Sequence, residues 1–316
     1  MAGEFDLIRG HFARDAIPRS EVELGIGDDA AIIRIADDRE MVVSVDTLIQ
    51  DVHFPADATA DSVGHKALAV NLSDMAAMGA EPVWATLAIA LPAPDEDWLA
   101  AFMSGFNDLA KEHGVSLVGG DTTRGPLSMS VQIGGQLPKG TAVRRSGAKP
   151  GDLIGVTGTL GDAAAGLDLH RQGISNHLTD RLHRPTPRVQ AGLALRPWTN
   201  AMIDLSDGLI SDLNHILEAS SVGAELDVSA LPLSPELTAH CVDNGAIKLA
   251  LSGGDDYELC FTASEGNRAS IEQALSVCET TVTWIGRIGE GAGLRLSGAQ
   301  GSLLESLRGY DHFHEA

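Results

Sequence analysis

The chain has 316 residues, 44% of them hydrophobic and 21% charged, with a formal net charge of -22. That length is at the upper end of what one hydrophobic core supports, so two domains are expected, and so acidic a surface repels nucleic acid and anionic membranes. No run approaches the ~18 apolar residues of a membrane span, the N-terminal MAGEFDLIRGHF lacks a secretory layout, and Cys241, Cys260 and Cys278 show no CxxC spacing. The expectation is a cytoplasmic protein with buried reduced thiols, and neither a zinc site nor a disulfide framework.

In chain order, EMVVSVDTLI (40–49) has the β-branched content of a buried strand. Residues 61–79 predict a helix, with Asp61 or Ser62 as N-cap and Gly79 as stop. VWATLAIALP predicts a strand closed by Pro92. DEDWLAAFMSGFNDLAKEHG predicts an amphipathic helix with acids at its start, Lys111 and His113 near its end and Gly114 after it. VSLVGGDTTRG and LSMSVQIGGQLP read as a strand, a turn and another strand. Gly, Pro and basic residues gather in LPKGTAVRRSGAKPGD (137–152), which places a boundary between domains 1–140 and 141–316. Beyond it, DLIGVTG reads as a strand and DAAAGLDLHRQG as a helix. AMIDLSDGLISDLNHILEAS reads as a strand running into a helix, and IKLALSGGDDYELCFTA as a strand, a turn and a strand. VTWIGRIG and GLRLSG read as short strands. The class is α/β or α+β in two domains of similar size.

Many carboxylates share one setting, the end of an apolar strand or a glycine turn. They are Asp28 and Asp29 in GIGDDA, Asp46 in VVSVDT, Asp121 in LVGGDTT, Asp204 and Asp207 in MIDLSDG, and Asp255 and Asp256 in LSGGDDYE. Singly, each has a plain structural explanation as a turn or cap residue; Asp207 or Ser206 would cap a helix starting at Gly208. Asp74 differs, because it lies in a mostly apolar helix with Asn71 on the same face, and an unpartnered carboxylate facing a core is costly. Together the pattern favours hard cations such as Mg²⁺, which takes oxygen ligands and completes its shell with water and phosphates.

Arg124, Arg144, Arg145 and Lys149, set in glycine-rich backbone, read either as phosphate donors or as a solvated linker. Gly158 and Gly161 in VTGTLGDAAAG read as a structural turn, since the GxGxxG spacing fails. A P-loop is excluded by the lack of its motif, and HRD and DFG sets are missing. His53 follows Asp46 closely and reads as a ligand-contacting residue or as an ordinary surface or core histidine. Nothing orders a Ser-His-Asp or Cys-His constellation.

The motifs GIGDDAA, VSVDTLIQDVHF, HKALAVNLSDMAAMGAEP, LVGGDTTRGPLSMSV, RRSGAKPGD, IDLSDGLISDL and LSGGDDYEL closely resemble the thiamine-monophosphate kinase family, from about residue 3 to the final GYDHF. The wider superfamily includes aminoimidazole ribonucleotide and selenophosphate synthetases, but this chain lacks the reactive N-terminal Cys of the latter. The resemblance implies an α/β (α+β), two-domain PurM-like ATP-binding fold. Domain 1–140 would bind ATP and Mg²⁺ and form a homodimer through its β-sheet, and 141–316 would be a C-terminal α/β domain. It implies Mg²⁺ ligands at Asp29, Ser44, Asp46, Asp74, Asp121, Asp204 and Asp207, with Val45 contributing its carbonyl and Asp28 serving only as a turn or supporting residue. Gly120, Asp121, Arg145 and Ser206 would contact ATP. His53 and Asp255 would contact thiamine monophosphate. Leu307 stands where relatives place an aromatic against thiamine, with Tyr310 three residues on. The implied reaction passes the γ-phosphoryl group of ATP directly to thiamine monophosphate, with Arg145 and several Mg²⁺ stabilising it and no general base. The alternatives are an acyl- or iminophosphate-forming synthetase of the superfamily, or a Mg-nucleotide-binding regulatory protein without turnover.

Overall fold

The computed structural model describes residues 8–12, 17–26 and 29–298; Asp28, Leu307 and Tyr310 lie outside the described residues. The chain divides into two compact units, Met1–Met75 with Ala80–Gly140, and Ala76–Gly79 with Thr141–Ala316.

The first unit contains β1 (Val22–Leu24), β2 (Ile32–Ile33), β3 (Arg39–Ile49), α1 (Ala60–Ala77), β4 (Glu81–Leu91), α2 (Glu96–His113), β5 (Ser116–Arg124) and β6 (Ser128–Pro138). Strands β3 to β6 form a sheet in the order β3-β6-β4-β5, with β4 and β5 parallel and the other pairs antiparallel. Period-two alternation along β3 separates two faces. Val42, Ser44, Asp46 and Leu48 take one face, while Met41, Val43, Val45 and Ile49 are exposed on the other, Val45 at 60%.

Helix α1 lies on the covered face. The Asp74 carboxylate meets Ser44, and Met75 packs so closely on Gly135 of β6 that a Cβ there would lie 2.7 Å from its sulfur. Helix α1 is buried along most of its surface, with the polar Ser62, Lys66, Asn71 and Ser73 among its buried residues. Helix α2 crosses it where both helices carry glycine. A Cβ on Gly64 would sit 1.9 Å from the Phe102 carbonyl oxygen, and one on Gly105 1.9 Å from that of Asp61. Helix α2 has the ends its sequence predicts: Asp95 accepts from the Trp98 N–H at 3.0 Å, and Gly114 closes the last turn at φ +65°.

The second unit contains β7 (Leu153–Thr157), α3 (Asp162–Arg171), α4 (His177–His183), α5 (Val189–Leu195), β8 (Ala201–Asp204), α6 (Leu209–Ser220) and β9 (Gly223–Asp227). They are followed by α7 (Pro235–His240), α8 (Gly245–Ser252), β10 (Leu259–Ala263), α9 (Arg268–Val277), β11 (Val282–Gly289) and β12 (Gly293–Ser297). Its six-stranded sheet has the order β12-β9-β11-β7-β10-β8, with β9 and β12 parallel and the other pairs antiparallel. Its core includes Ile154, Val156, Ile203, Leu213, Ile216, Leu226 and Ile285. Both sheets are mixed and mostly antiparallel, the α+β side of the expected class.

Three expectations are corrected. The strand over 40–49 is not buried but shows alternate residues to water. IKLALS is not a strand but lies in α8: Ala246, Ala250 and Leu251 are the buried positions, at helical spacing, and so short an apolar run cannot be assigned by periodicity alone. Of the cysteines only Cys260 is buried; Cys241 and Cys278 are partly exposed, and all three are free thiols. Among the described residues, no helix is long and apolar enough to cross a membrane.

The glycine crossing sets a test of packing. Gly105→Ala places a methyl against main chain that cannot swing aside, and should cost about 1–3 kcal/mol or more. Urea unfolding should show a lower midpoint, and an unshifted midpoint would mean that the helices separate freely.

Candidate functional site

In the first unit, the alternation of β3 aims Ser44 and Asp46 toward α1 and leaves Val45 on the opposite face, so that only its main chain is offered on the Ser44 side. Ser44 Oγ donates to Asp74 Oδ2 at 2.5 Å, which gives the mid-helix carboxylate the partner its setting demands. One turn earlier on α1, Asn71 is fully buried. Its amide N–H donates to the Ala67 carbonyl at 3.1 Å, while its Oδ1 has no hydrogen-bond partner among the described residues. Gly120 and Asp121 lie in β5, both exposed, and Asp29 is exposed ahead of β2. Gly120 has φ +156°, and a Cβ there would lie 1.9 Å from the Leu87 carbonyl oxygen, so glycine is required at that point.

His53 sits in the turn after β3. Its Nδ1 accepts from the Ile49 N–H at 3.0 Å, its own N–H donates to the Ile49 carbonyl at 2.9 Å, and its carbonyl accepts from Lys66 Nζ at 3.2 Å. With Nδ1 an acceptor, the proton of the neutral ring is assigned to Nε2. Lys66, 3% exposed, escapes a reading of the sequence; its one signal is a charge inside an apolar helix.

In the second unit, Asp204 ends β8, and residues 205–208 lead into α6. The expected cap from Asp207 or Ser206 is corrected: the N-cap is Gly208, which has no side chain to offer. The acceptor is Asp212, one turn inside α6. Its Oδ2 takes the main-chain N–H groups of Ser206, Asp207 and Gly208 at 3.0, 3.1 and 3.2 Å. Burial, reinforced by the charges of Asp204 and Asp207, pushes the Asp212 carboxyl up to about 7. The carboxylate thus shapes the loop that carries Ser206 and Asp207.

The loop before β10 packs directly on that one. Asp255 N–H donates to the Ser206 carbonyl at 2.9 Å, Tyr257 N–H to the Leu205 carbonyl at 2.8 Å, and Leu205 N–H to the Glu258 carbonyl at 2.8 Å. These bonds extend the β8–β10 ladder past its last pair, Leu259 with Asp204. The adjacent acids part company here. Asp255, at φ +71°, is partly exposed, whereas Asp256 is 3% exposed, accepts from the Gly161 N–H at 2.7 Å, and has its carboxyl pushed by burial up to about 8. Gly158 and Gly161 are accordingly a structural turn: a Cβ on Gly158 would overlap Glu258, and the Gly161 N–H is taken by Asp256.

Beneath this loop, the fully buried Glu258 accepts from Arg181 Nη2 at 2.9 Å, from Arg188 Nε and Nη2 at 2.6 and 2.5 Å, and from Thr157 Oγ1 at 2.7 Å. Burial pulls the Arg188 guanidinium down, but Glu258 lifts it above its ordinary value. Arg145 is exposed; its carbonyl accepts from Ser220 Oγ at 3.3 Å, and Ser220 Oγ in turn accepts from the Gly147 and Ala148 N–H groups.

Among the described residues, no group of three or more His, Cys, Asp or Glu side chains is gathered in metal-holding geometry. The donor chemistry nevertheless fits Mg²⁺, being carboxylate, hydroxyl and main-chain oxygen, with the Asn71 oxygen unused close by along α1. In the second unit, a cation at Asp204 and Asp207 would offset the repulsion they exert on Asp212.

Two family models match the chain: AIR synthase related protein, N-terminal domain, over residues 27–137, and AIR synthase related protein, C-terminal domain, over residues 149–298. Fold and site therefore define an AIR synthase-related protein of the two-domain type. Among individual proteins, the chain is 48% identical to the thiamine-monophosphate kinase of Escherichia coli (strain K12), with 98% of each covered. It is 38% identical to that of Bacillus subtilis (strain 168), covering 98% of this chain and 99% of the other. The chain belongs to the thiamine-monophosphate kinase family. Its fold superposes on the crystal structure of thiamine-monophosphate kinase from Stenotrophomonas maltophilia K279a with a TM-score of 0.86 at 47% identity, covering 93% of this chain and 95% of that one. For AaThiL complexed with AMPPCP and TMP, the TM-score is 0.78 at 32% identity, over 98% and 97%.

The buried ion cluster yields a prediction. Glu258→Ala strands the buried Arg181 and the half-buried Arg188 guanidinium groups and should cost about 3–5 kcal/mol, the scale for breaking a buried pair from one side. Denaturant unfolding measures it, and a loss below about 1 kcal/mol would mean that water reaches both arginines.

Proposed function

We propose that this protein transfers the γ-phosphoryl group of ATP to thiamine monophosphate, yielding thiamine diphosphate and ADP, by direct in-line displacement without a phosphoenzyme. The observation that carries this reading is 48% identity to a thiamine-monophosphate kinase over nearly the full length of both chains. AaThiL, complexed with AMPPCP and TMP, supports the pairing of a nucleotide with a phosphorylated acceptor.

Residues 1–140 serve as the nucleotide, metal and dimerisation domain and 141–316 as the second domain. In the first, Asp29, Ser44, the Val45 carbonyl, Asp46, Asp74 and Asp121 hold Mg²⁺; in the second, Asp204 and Asp207 do so. Bound Mg²⁺ supplies positive charge at the phosphates of two anionic substrates. Gly120, Asp121, Arg145 and Ser206 contact ATP, and the Arg145 guanidinium is suited to bidentate contact with phosphate. His53, with the proton of its neutral ring on Nε2, presents a donor to the acceptor, and Asp255 contacts the thiamine moiety.

The acceptor oxygen of a phosphate monoester is already ionised near neutral pH, so no side chain need remove a proton. The protein's work is to align donor and acceptor and to offset their repulsion, worth about 4 kcal/mol per charge pair at 4 Å and intermediate dielectric. The apolar open face of β3 supports association as a homodimer through the sheet. The unpaired thiols suit a reducing compartment such as the cytoplasm.

A coupled ADP-release assay should show turnover with thiamine monophosphate and none with ribonucleotide amides, and chiral γ-phosphoryl ATP should give inversion. Turnover with an amide would point to a synthetase instead, tight ATP binding without turnover to a regulatory protein, and net retention to a phosphoenzyme. In the same assay Asp46→Asn should lower kcat by at least about a hundredfold, with Tm unchanged or raised because like-charge repulsion is relieved. A large fall in Tm would assign Asp46 a structural role.

A further inference from the structure

We propose that Tyr257 is a positioning residue for the acceptor, its hydroxyl fixing the Asp255 carboxylate in the orientation that meets the thiamine moiety. The proposal deepens, and rests on, the reading of Asp255 as an acceptor contact. Tyr257 is 7% exposed, and its phenol donates to Asp255 Oδ1 at 3.0 Å. A buried phenol keeps such a bond, and one to an ionised oxygen is of the stronger kind.

The backbone makes this bond possible. Asp255 and Tyr257 both adopt positive φ, +71° and +50°, which non-glycine residues seldom do, and that turn brings two side chains only two residues apart onto each other. The turn is strapped at both residues, by Asp255 N–H to the Ser206 carbonyl and Tyr257 N–H to the Leu205 carbonyl. Between them, the Asp256 carbonyl accepts from Arg181 at 3.1 Å. Main chain is thereby fixed on both sides of Asp255. On the side chain, the Tyr257 hydroxyl adds a restraint on the Asp255 torsions.

The nucleotide side has its own support. Ser206 and Asp207 are held by the Asp212 carboxylate, which does not involve the Tyr257 hydroxyl. Removing that hydroxyl should therefore act on one substrate and spare the other, which general loosening of the loop would not do.

The test compares Tyr257→Phe, which keeps the ring, with Asp255→Ala. For Tyr257→Phe, KM for thiamine monophosphate should rise roughly tenfold, the scale of one hydrogen bond to a charged group. KM for ATP should stay within about twofold, and Tm close to that of the parent. Calorimetric titration of thiamine monophosphate into protein with Mg²⁺ and a non-hydrolysable ATP analogue should show the same loss without turnover. If Asp255→Ala weakens thiamine monophosphate while Tyr257→Phe does not, the positioning role is overturned and the Asp255 contact stands. If Asp255→Ala leaves it unchanged, the reading of Asp255 falls and the proposal with it. If Tyr257→Phe raises both KM values alike, the hydroxyl serves only the loop's shape, which also overturns the proposal.

Discussion

Repulsion among carboxylates is the constraint around which this chain is arranged. With a net charge of -22, it still buries several acids, and each is matched by a different device. Asp212 collects three consecutive main-chain N–H groups. Glu258 is clamped by two guanidinium groups and a hydroxyl. Asp162 takes the hydroxyls of Thr159 and Ser234, each at 2.6 Å. Asp256 takes a helix-terminal N–H. Other acids stay within reach of water: Asp29 and Asp121 in the first unit are exposed, and Asp207 and Asp255 in the second are partly so. The buried acids therefore give the second unit's loops their shape.

The division explains what was legible in the sequence. Local chemistry was legible wherever one stretch decides it: the acidic start and Gly114 end of α2, and the need of Asp74 for a partner in its mostly apolar helix. Pairings across distance were not. Glu258 lies 77 residues from Arg181 and 70 from Arg188, and nothing in DYEL signals that its acid is a buried anchor. Asp212 reads as an ordinary first-turn acid until the chain is seen folding back upon it. The misassigned IKLALS shows the same limit at short range, where flanking Asn244 and Gly253 outweigh an apolar run that suits strand and helix alike.

Adjacent acids illustrate how little the letters alone decide. Asp255 and Asp256 are chemically identical, yet a positive φ at the first turns one toward solvent and the other into a closed pocket of N–H groups. Burial then separates them further, by raising the second toward its neutral form. Backbone geometry does this work, and no pattern of residue types would have assigned the two roles.

The outer face of β3 carries a different consequence. The strand is 11 residues long, stands at the edge of its sheet among the described residues, and shows water a row of Met41, Val43, Val45 and Ile49. Bare edge and bare face together form a surface on which a sheet of another chain can nucleate. A second chain covering that row would link folding to mass action, so that dilution would weaken this part of the molecule, and a chain without such a cover would present a surface for aggregation there.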